Sequence, residues 1–381
     1  MAQRIQNAGL MKLKLIGLIL CLFAGTSVFA EGEAEAGAEK FDAGKTIVEH
    51  ISDSHDWHIL GKEPHAVSVP LPIIVYNKER GLSMFMSSRF EHGHKAYAGY
   101  VLRENKIEAV NELEEIPAEQ ATVSEELTAA TYDISITKNV FSLLVSIVIM
   151  LWMFMSVAKS YGRRQGQAPK GMQSLIEPLV VFVRDEIAKP SIGKKYEKYM
   201  PYLLTVFFFI WINNLLGLIP IIPGGANVTG NIAVTMTLAI ITFLITTFSA
   251  NKNYWQHVFA MPGVPVGVLV LLTPIEILGV VLRPFVLMIR LFANITAGHI
   301  IALSFFSLIF IFGEMSTGLG FGVSVLSVAF VVFMSMLELL VAFLQAFVFT
   351  LLSAIYFGAA VEEHHHDHEH GDAHVEEALI I

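Results

Sequence analysis

The sequence predicts an all-α polytopic membrane protein of about five spans, with a small extracytoplasmic N-terminal domain that contains a β-hairpin. Three observations predict this class. Hydrophobic residues make up 54% of the 381 residues and charged residues only 15%, whereas soluble domains are about a quarter charged. The mean hydropathy is +0.59. Finally, 20 of the 34 acidic residues precede residue 138, and apolar segments dominate the chain from Val140 onward.

The composition also excludes other classes of protein. The net charge is −9 and no basic stripe is present, which argues against nucleic-acid binding. Cys21 is the single cysteine, so a disulfide-stabilised fold is excluded. We expect no cofactor and no metal site.

Residues 1–30 are predicted to be a signal peptide. Lys12 and Lys14 precede an apolar run from Leu15 to Phe23, and small residues lead up to Ala30. A basic start, a short apolar run and a small-residue cleavage site are the expected order of such a segment. Because the run is short for a membrane span, cleavage after Ala30 is favoured over an uncleaved anchor.

Residues 31–137 are predicted to form an extracytoplasmic acidic domain. Their 20 acidic and 9 basic residues give a charge of −11. Extended segments at 65–76 and 82–90, separated by turn residues at 77–81, predict a β-hairpin. The histidines match no metal-ligand spacing and have no cysteines beside them, so we interpret them as solvated surface residues. They are His50, His55, His58, His65, His92 and His94.

Residues 138–358 are predicted to form the membrane-embedded domain. The first span covers Val140 to Ala158, and the lysines and arginines that follow it predict a cytoplasmic end. Apolar and charged residues alternate at 174–198, which predicts an amphipathic interfacial helix. Two further spans are predicted at 201–219 and 231–250.

The last apolar stretch is longer than the others. It predicts a hairpin-like segment near 264–282 and two long helices, at about 284–312 and 321–358, joined by a glycine-rich turn at 313–322. Both helices exceed the ~20 residues that a perpendicular span needs, so we expect them to be tilted. Residues 359–381 form a His/acid-rich cytoplasmic tail, which we interpret as solvated rather than metal-binding.

Charged residues occur inside this last apolar stretch, where they are costly. An arginine in hydrocarbon costs at least ~2.5 kcal/mol on insertion scales, so a partner or a water-filled cavity is expected. Arg283 lies near the cytoplasmic entry and can snorkel. Arg290 lies two turns deeper and has no carboxylate nearby in the sequence, so its counter-ion must come from elsewhere. Glu276, Arg283 and Arg290 are spaced by sevens, which places them on one stripe of a continuous helix.

The remaining polar residues sort onto helix faces by their spacing. Asn294 follows Arg290 by four residues and shares its face, whereas His299 follows it by nine and faces the other way. Glu338 and Gln345 lie seven residues apart on one face of the last helix. Buried carboxylates and histidines can titrate near neutrality, and arginine keeps its charge. These residues are the material of a proton path beside a fixed positive charge.

Several of these motifs resemble subunit a of F-type ATP synthases. The run Arg290-Leu-Phe-Ala-Asn294-Ile-Thr-Ala-Gly-His299 resembles that family's signature, and so does Glu338-Leu-Leu-Val-Ala-Phe-Leu-Gln345-Ala-Phe-Val-Phe. Further matches are Asn213-Asn214-Leu-Leu-Gly-Leu-Ile-Pro220 and a loop with Pro223, Asn227 and Thr229. Together they cover about 170–358, in the family's order.

The resemblance implies roles for individual residues. The family's essential arginine corresponds to Arg290 and its neighbouring asparagine to Asn294. His299 stands where the family has an outer-channel carboxylate, and Glu338 stands where it has a histidine, seven residues before Gln345. These two departures are reciprocal, which suggests that the two side chains meet in space.

The resemblance further implies a proton-translocating stator subunit that is not an enzyme by itself; no Gly-x-x-x-x-Gly-Lys-Ser/Thr motif is present. Protons would enter past Glu276, which matches another outer-channel acid, and past His299 and Glu338. Arg283 is a possible accessory charge. The implied partners are a ring of small helical-hairpin subunits, a peripheral-stalk subunit, the lipid bilayer and, indirectly, a catalytic ATPase head. The implied location is a bacterial inner membrane, with the N-terminal domain periplasmic and the C-terminus cytoplasmic.

Two other functions are open at this point. A stand-alone ion-coupled secondary transporter would need paired repeats and broken helices, and no convincing internal repeat is present. A structural assembly factor, with the external domain as its active part, would leave Arg290 and Glu338 without a purpose. Residues 1–137 lie outside the resemblance.

Overall fold

The computed structural model describes residues 42–60, 67–163, 166–219 and 224–362. From Ala43 onward, these residues belong to one compact unit. The predicted signal peptide, His65, the loop at 220–223 and the tail from residue 363 lie outside the described residues.

An N-terminal module, residues 43–137, combines short helices with antiparallel strands. Helix α1 covers Ala43–Ile51 and α2 covers Glu125–Ala129. The strands are β1 (Asp56–Leu60), β2 (Val67–Pro70), β3 (Pro72–Asn77), β4 (Gly81–Met86), β5 (Lys95–Ala96), β6 (Tyr100–Arg103), β7 (Lys106–Ala109), β8 (Ile116–Pro117) and β9 (Thr131–Asp133). Strand β3 pairs with β4 and β9, and the other pairs are β1 with β2, β5 with β8, and β6 with β7.

The predicted β-hairpin is confirmed as β3 and β4, which pair in register from Pro72 opposite Met86 onward. In the turn, the side-chain carbonyl of Asn77 accepts hydrogen bonds from two backbone amides, which is how asparagine stabilises turns. The second strand ends at Met86 rather than at residue 90. A 3₁₀ helix, Ser87–Gly93, follows it and folds Phe90 into the module core.

His55 shows that the interpretation of all module histidines as solvated is wrong. Its side chain is buried, and its Nε2 lies 2.9 Å from Asp133 Oδ2. Burial raises the pKa of Asp133, but hydrogen bonds with His55 and Ser135 outweigh burial and hold that pKa below its ordinary value. The contact ties the last strand of the module to the segment that precedes β1.

Five helical stretches of the described chain are long and apolar enough to cross a membrane, as predicted. The α-helices of this part of the chain, including short ones that do not span a membrane by themselves, are α3 (Lys138–Arg163), α4 (Met172–Phe182), α5 (Lys189–Ile192), α6 (Tyr196–Leu218), α7 (Ile232–Ser249), α8 (Lys252–Phe259), α9 (Val266–Met315) and α10 (Thr317–Val361). A π-helical segment, Val183–Ala188, joins α4 to α5. The core lies where α10 packs against α6 and α9, with Tyr199 stacked on Phe357.

The last two helices are more continuous than predicted. The hairpin-like segment near 264–282 is wrong, because α9 runs unbroken through Pro274 and Pro284. A broken backbone in hydrocarbon would leave its polar groups without hydrogen bonds, so helix is the favoured state. The turn predicted at 313–322 is present but shorter than predicted, since only Ser316 separates the helices. A Cβ at Gly320 would lie 2.8 Å from Gly313 Cα, so these glycines serve close helix packing.

Contacts distinguish two ends of the bundle. The module end holds the start of α3, the end of α6 and the loop before α7, where Trp57 of the module packs with Ala226 and Val228. The opposite end holds α8 and the end of α10, where the Asn251 amide donates a hydrogen bond to the Ala360 carbonyl. Helix α9 starts beside α8 and runs towards the module end.

Candidate functional site

Arg290 lies on the outer surface of α9. Leu287 and Leu291 are buried against other helices, which leaves Arg290 and Asn294 exposed on the free face of α9. Within the described part of the chain, no hydrogen bond or ion pair involves the guanidinium, although its charge acts on Tyr356 of α10. An arginine in an apolar surface is costly without a partner or a water-filled cavity, and the described residues supply no such partner.

Arg283, by contrast, has partners within the chain. Its Nη1 donates a hydrogen bond to the Tyr254 hydroxyl at 3.0 Å, and its guanidinium lies 5.5 Å from the centroid of the Tyr356 ring. Thr242 and Thr246 of α7 line the same pocket. Arg283 therefore lies towards the opposite end of the bundle, away from the module.

His299 lies on α9 nearer the module end and is half-buried. A Cβ added at Gly217 of α6 would lie 3.9 Å from His299 Nε2 and 3.3 Å from the Ala226 carbonyl oxygen. The imidazole therefore occupies the space between α6 and the loop before α7. Burial is the largest influence on the imidazole, and His50 and Lys138 of the module end add smaller electrostatic ones.

Glu338 of α10 packs directly against Gly298, the residue before His299. A Cβ added at Gly298 would lie 2.9 Å from Glu338 Oε1 and 3.3 Å from its Cγ. Oε1 is buried and has no hydrogen-bond partner among the described residues. The structure thus brings Glu338 and the helix turn of His299 together, although no direct ion pair joins the two side chains in the described chain.

Polar groups that the sequence did not single out as site residues lie around this pair. Asn214 accepts a hydrogen bond from the Thr229 hydroxyl and donates one to the Ala342 carbonyl of α10 at 3.2 Å. Thr296 Oγ1 of α9 and both amide atoms of Asn227 are buried without a hydrogen-bond partner among the described residues. Buried polar atoms are normally satisfied, often by ordered water. The arrangement therefore suits hydrated proton transfer towards Glu338.

Gln345 and Glu276 lie further from this group. Gln345 is buried two turns beyond Glu338 on α10, towards the opposite end of the bundle. Glu276 is half-buried and precedes His299 by 23 residues of one continuous helix, which corresponds to about 35 Å. The structure does not bring Glu276 together with His299 and Glu338.

The module contacts the site through the segment between α1 and β1. Helix α1 packs on α9, and Lys138 Nζ donates a hydrogen bond to the His50 carbonyl at 3.0 Å. Asp53 Oδ1 accepts from the Asn139 amide at 3.0 Å and Oδ2 from the Thr137 hydroxyl at 2.8 Å, which caps the N-terminus of α3. The sequence signal for this contact was weak: a lysine directly before an apolar span.

The described residues contain no group of three or more histidine, cysteine, aspartate or glutamate side chains that could hold a metal ion. The chemistry that this arrangement offers is proton transfer between titratable side chains and water.

Comparisons with known proteins divide the chain in two. A family model described as ATP synthase A chain matches residues 140–358, and a domain of unknown function, DUF8433, matches residues 46–134. ATP synthase subunit a 2 of Chlorobaculum tepidum is 46% identical over 260 residues, which cover 65% of this chain and 71% of that protein. Subunit a of Chloroherpeton thalassium is 44% identical, covering 64% and 72%. Subunit a of Myxococcus xanthus is 40% identical, covering 64% and 78%.

Proposed function

The chain belongs to the ATP synthase A chain family, and from this premise we propose how its side chains carry protons across the membrane. It is the proton-translocating stator subunit of an F-type ATP synthase and a multi-pass protein of a bacterial membrane. It translocates ions and is not catalytic on its own. The relatives reported above are all named as subunit a, so a stand-alone transporter has no support from them.

One observation carries the proposed mechanism: the Arg290 guanidinium is exposed on α9 and has no ion pair within the described chain. Large apolar side chains surround it on the exposed face, such as Ile289 and Val286. Lipid tails offer no anion, so the partner must be a carboxylate of a neighbouring protein. A rotating ring of small helical hairpins, each with one carboxylate, supplies such a partner.

The path at the module end consists of His299 and then Glu338. His299 and Glu338 are both half-buried, and the Oε1 atom of Glu338 is fully buried. A histidine can accept a proton on one nitrogen and release one from the other. Glu338 can hold that proton before it passes to a ring carboxylate. Asn294, on the face of Arg290, orients the carboxylate when it arrives.

The path at the opposite end begins where the ring carboxylate meets Arg290. The permanent charge of the arginine favours the ionised carboxylate, so the proton leaves on that side. Because Glu276 lies about 35 Å of helix from His299, we assign it to this second path rather than to the entry path that the resemblance implied. Arg283 lies between Glu276 and Arg290 on the same stripe and serves as an accessory charge.

We propose that the module end faces outward and the opposite end faces the cytoplasm. Lysines and arginines cluster near the opposite end, where retained positive charge is expected. They include Lys159, Arg163, Lys189, Lys194, Lys195, Lys198 and Lys252. Protease added to intact spheroplasts should therefore cut within residues 31–137. Cleavage there only in inverted vesicles would contradict this orientation.

The complex that this subunit joins supplies its other partners. We propose contacts with the ring on the exposed face of α9 and α10, with a peripheral-stalk subunit, and indirectly with the catalytic head. In the most apolar 18-residue stretch of each of these two helices, only 11% of the residues are buried within the chain. Lipid or another subunit must therefore cover the rest. Each proton contributes about 2.3 kcal/mol per 100 mV, so several protons must be combined for one ATP.

The experiment that tests this mechanism uses the reconstituted complex with Arg290→Ala. Without the fixed charge, a protonated carboxylate can pass directly between the two paths. We expect ATP synthesis to be abolished while a passive proton leak through the membrane sector remains. Arg290→Lys should also fail, because a lysine covered by the ring loses its proton more readily than arginine and lacks the planar fork.

Arg163→Ala is the matched control, since Arg163 is an exposed arginine at the end of another span. It should support synthesis at the wild-type rate. If assembled Arg290→Ala complexes also make ATP near the wild-type rate, the arginine merely snorkels and the mechanism is wrong.

A further inference from the structure

We propose that helix α1 of the N-terminal module forms the entrance to the proton path at the module end, and that the His50 imidazole is its first proton carrier. The inference rests on the proposed role of His299 and assigns a function to a region that matches a domain of unknown function.

Backbone groups and Asp53 help to hold α1 in position. The buried Lys138 ammonium donates its hydrogen bond to the His50 backbone carbonyl at 3.0 Å. The amide of Lys138 donates to the Ser54 carbonyl at 2.9 Å, and Asp53 caps the first turn of α3. The backbone and Asp53 therefore anchor this segment to the bundle.

His50 is placed between solvent and His299. Its side chain is exposed at the last turn of α1, and α1 packs on α9, the helix that carries His299. A positive charge on His50 would therefore act on the imidazole of His299. His50 is thus exposed, whereas His299 and Glu338 are both half-buried.

The rest of the module covers the other side of this entrance. Trp57 is buried between Ala226 and Val228 of the loop before α7, and its ring meets Phe141 edge-on with centroids 5.6 Å apart. This apolar contact excludes water from the loop side. The side of α1 with His50 remains as the polar approach to His299.

The chemistry at His50 is a balanced proton relay. One ring nitrogen takes a proton from bulk water, and the other nitrogen releases a proton to water or to His299, so the imidazole returns to its neutral form. Imidazole suits this role because its ordinary pKa lies near neutrality. The Lys138 Nζ and the Asp53 carboxylate lie beside this approach.

The test uses the whole complex in liposomes, with the module facing the lumen and synthesis started by a pH jump. His50→Ala keeps the backbone carbonyl that binds Lys138, so that contact is retained. We expect the initial rate of synthesis to fall at least about threefold, since water can only partly replace a positioned proton carrier. Imidazole trapped in the lumen should restore at least half of the loss.

His257→Ala is the matched control, because His257 is also an exposed histidine in the last turn of a short helix, at the opposite end. It should synthesise ATP at the wild-type rate with or without imidazole. His50→Gln keeps polarity and size but cannot relay protons. It should lower the initial rate of synthesis as His50→Ala does, and imidazole should restore that rate to the same extent.

Unchanged synthesis in both His50 variants would overturn the inference, and so would a loss that imidazole does not restore or that glutamine repairs. Arg290→Ala measured in parallel separates the two proposals. If it loses synthesis while the His50 variants do not, only the entrance is wrong, whereas synthesis in Arg290→Ala would refute the proposed function itself.

Discussion

A single methyl group at Gly298 should slow proton transfer without removing any titratable side chain. The Cβ of Gly298→Ala would lie 2.9 Å from Glu338 Oε1, whereas ordinary contact begins at 3.4 Å. The carboxyl must therefore move by about 0.5 Å, since dispersion contacts turn repulsive below their optimal separation. Glu338 can give way by distorting its torsions, which costs about 0.5–1.5 kcal/mol.

This cost converts into a measurable rate. It lowers the population of the native carboxyl position roughly two- to twelvefold at 25 °C, and proton transfer needs donor and acceptor within about 3.2 Å. We expect ATP synthesis and ATP-driven proton pumping in proteoliposomes to fall by the same factor. Assembly should not suffer, because alanine favours a helix over glycine by about 1 kcal/mol.

Gly279→Ala is the control on the same helix, because a Cβ at Gly279 meets nothing within 4 Å. The double variant Gly298→Ala with Glu338→Asp removes one methylene from the crowded side chain and should recover part of the rate. If Gly298→Ala pumps as fast as Gly279→Ala in equal amounts of assembled complex, the position of Glu338 does not limit proton flow and the reasoning is refuted.

Three further outcomes are expected. The exchange His299→Glu with Glu338→His should recover more proton flux than either single change, and additive losses in this double-mutant cycle would mean that the two residues do not couple. Asp53→Ala should speed hydrogen exchange at the Asn139 amide about fivefold, because it removes about 1 kcal/mol of capping. Asp53→Asn should speed this exchange less. Equal exchange rates in the wild type and both variants would contradict the cap. Because the pKa of Asp133 is lowered in the folded protein, its contribution to stability is present above its unfolded pKa and is lost as the pH falls below about 4. Asp133→Asn should therefore flatten the acid-dependent loss of exchange protection in β9, and an unchanged acid dependence would exclude this carboxyl as its source.

Much of the membrane domain could be predicted because its signals are local. A long apolar run must satisfy its backbone internally, so the spans at Val140 and at 231–250 follow from composition alone. The boundaries within α9 were harder to predict, because Pro274 and Pro284 suggest breaks that a membrane helix tolerates. The same local reasoning misjudged His55, whose burial depends on Asp133, far along the chain.

By itself, the sequence determined that charged residues lie inside an apolar helix and on which faces they lie, because helical periodicity converts spacing into direction. Arg290 and Asn294 share a face for that reason alone. Only the tertiary structure decided which groups meet. The packing of Glu338 on Gly298, the separation of Glu276 from His299 and the contact of α1 with α9 depend on how distant helices pack together, and no spacing within one helix contains that information.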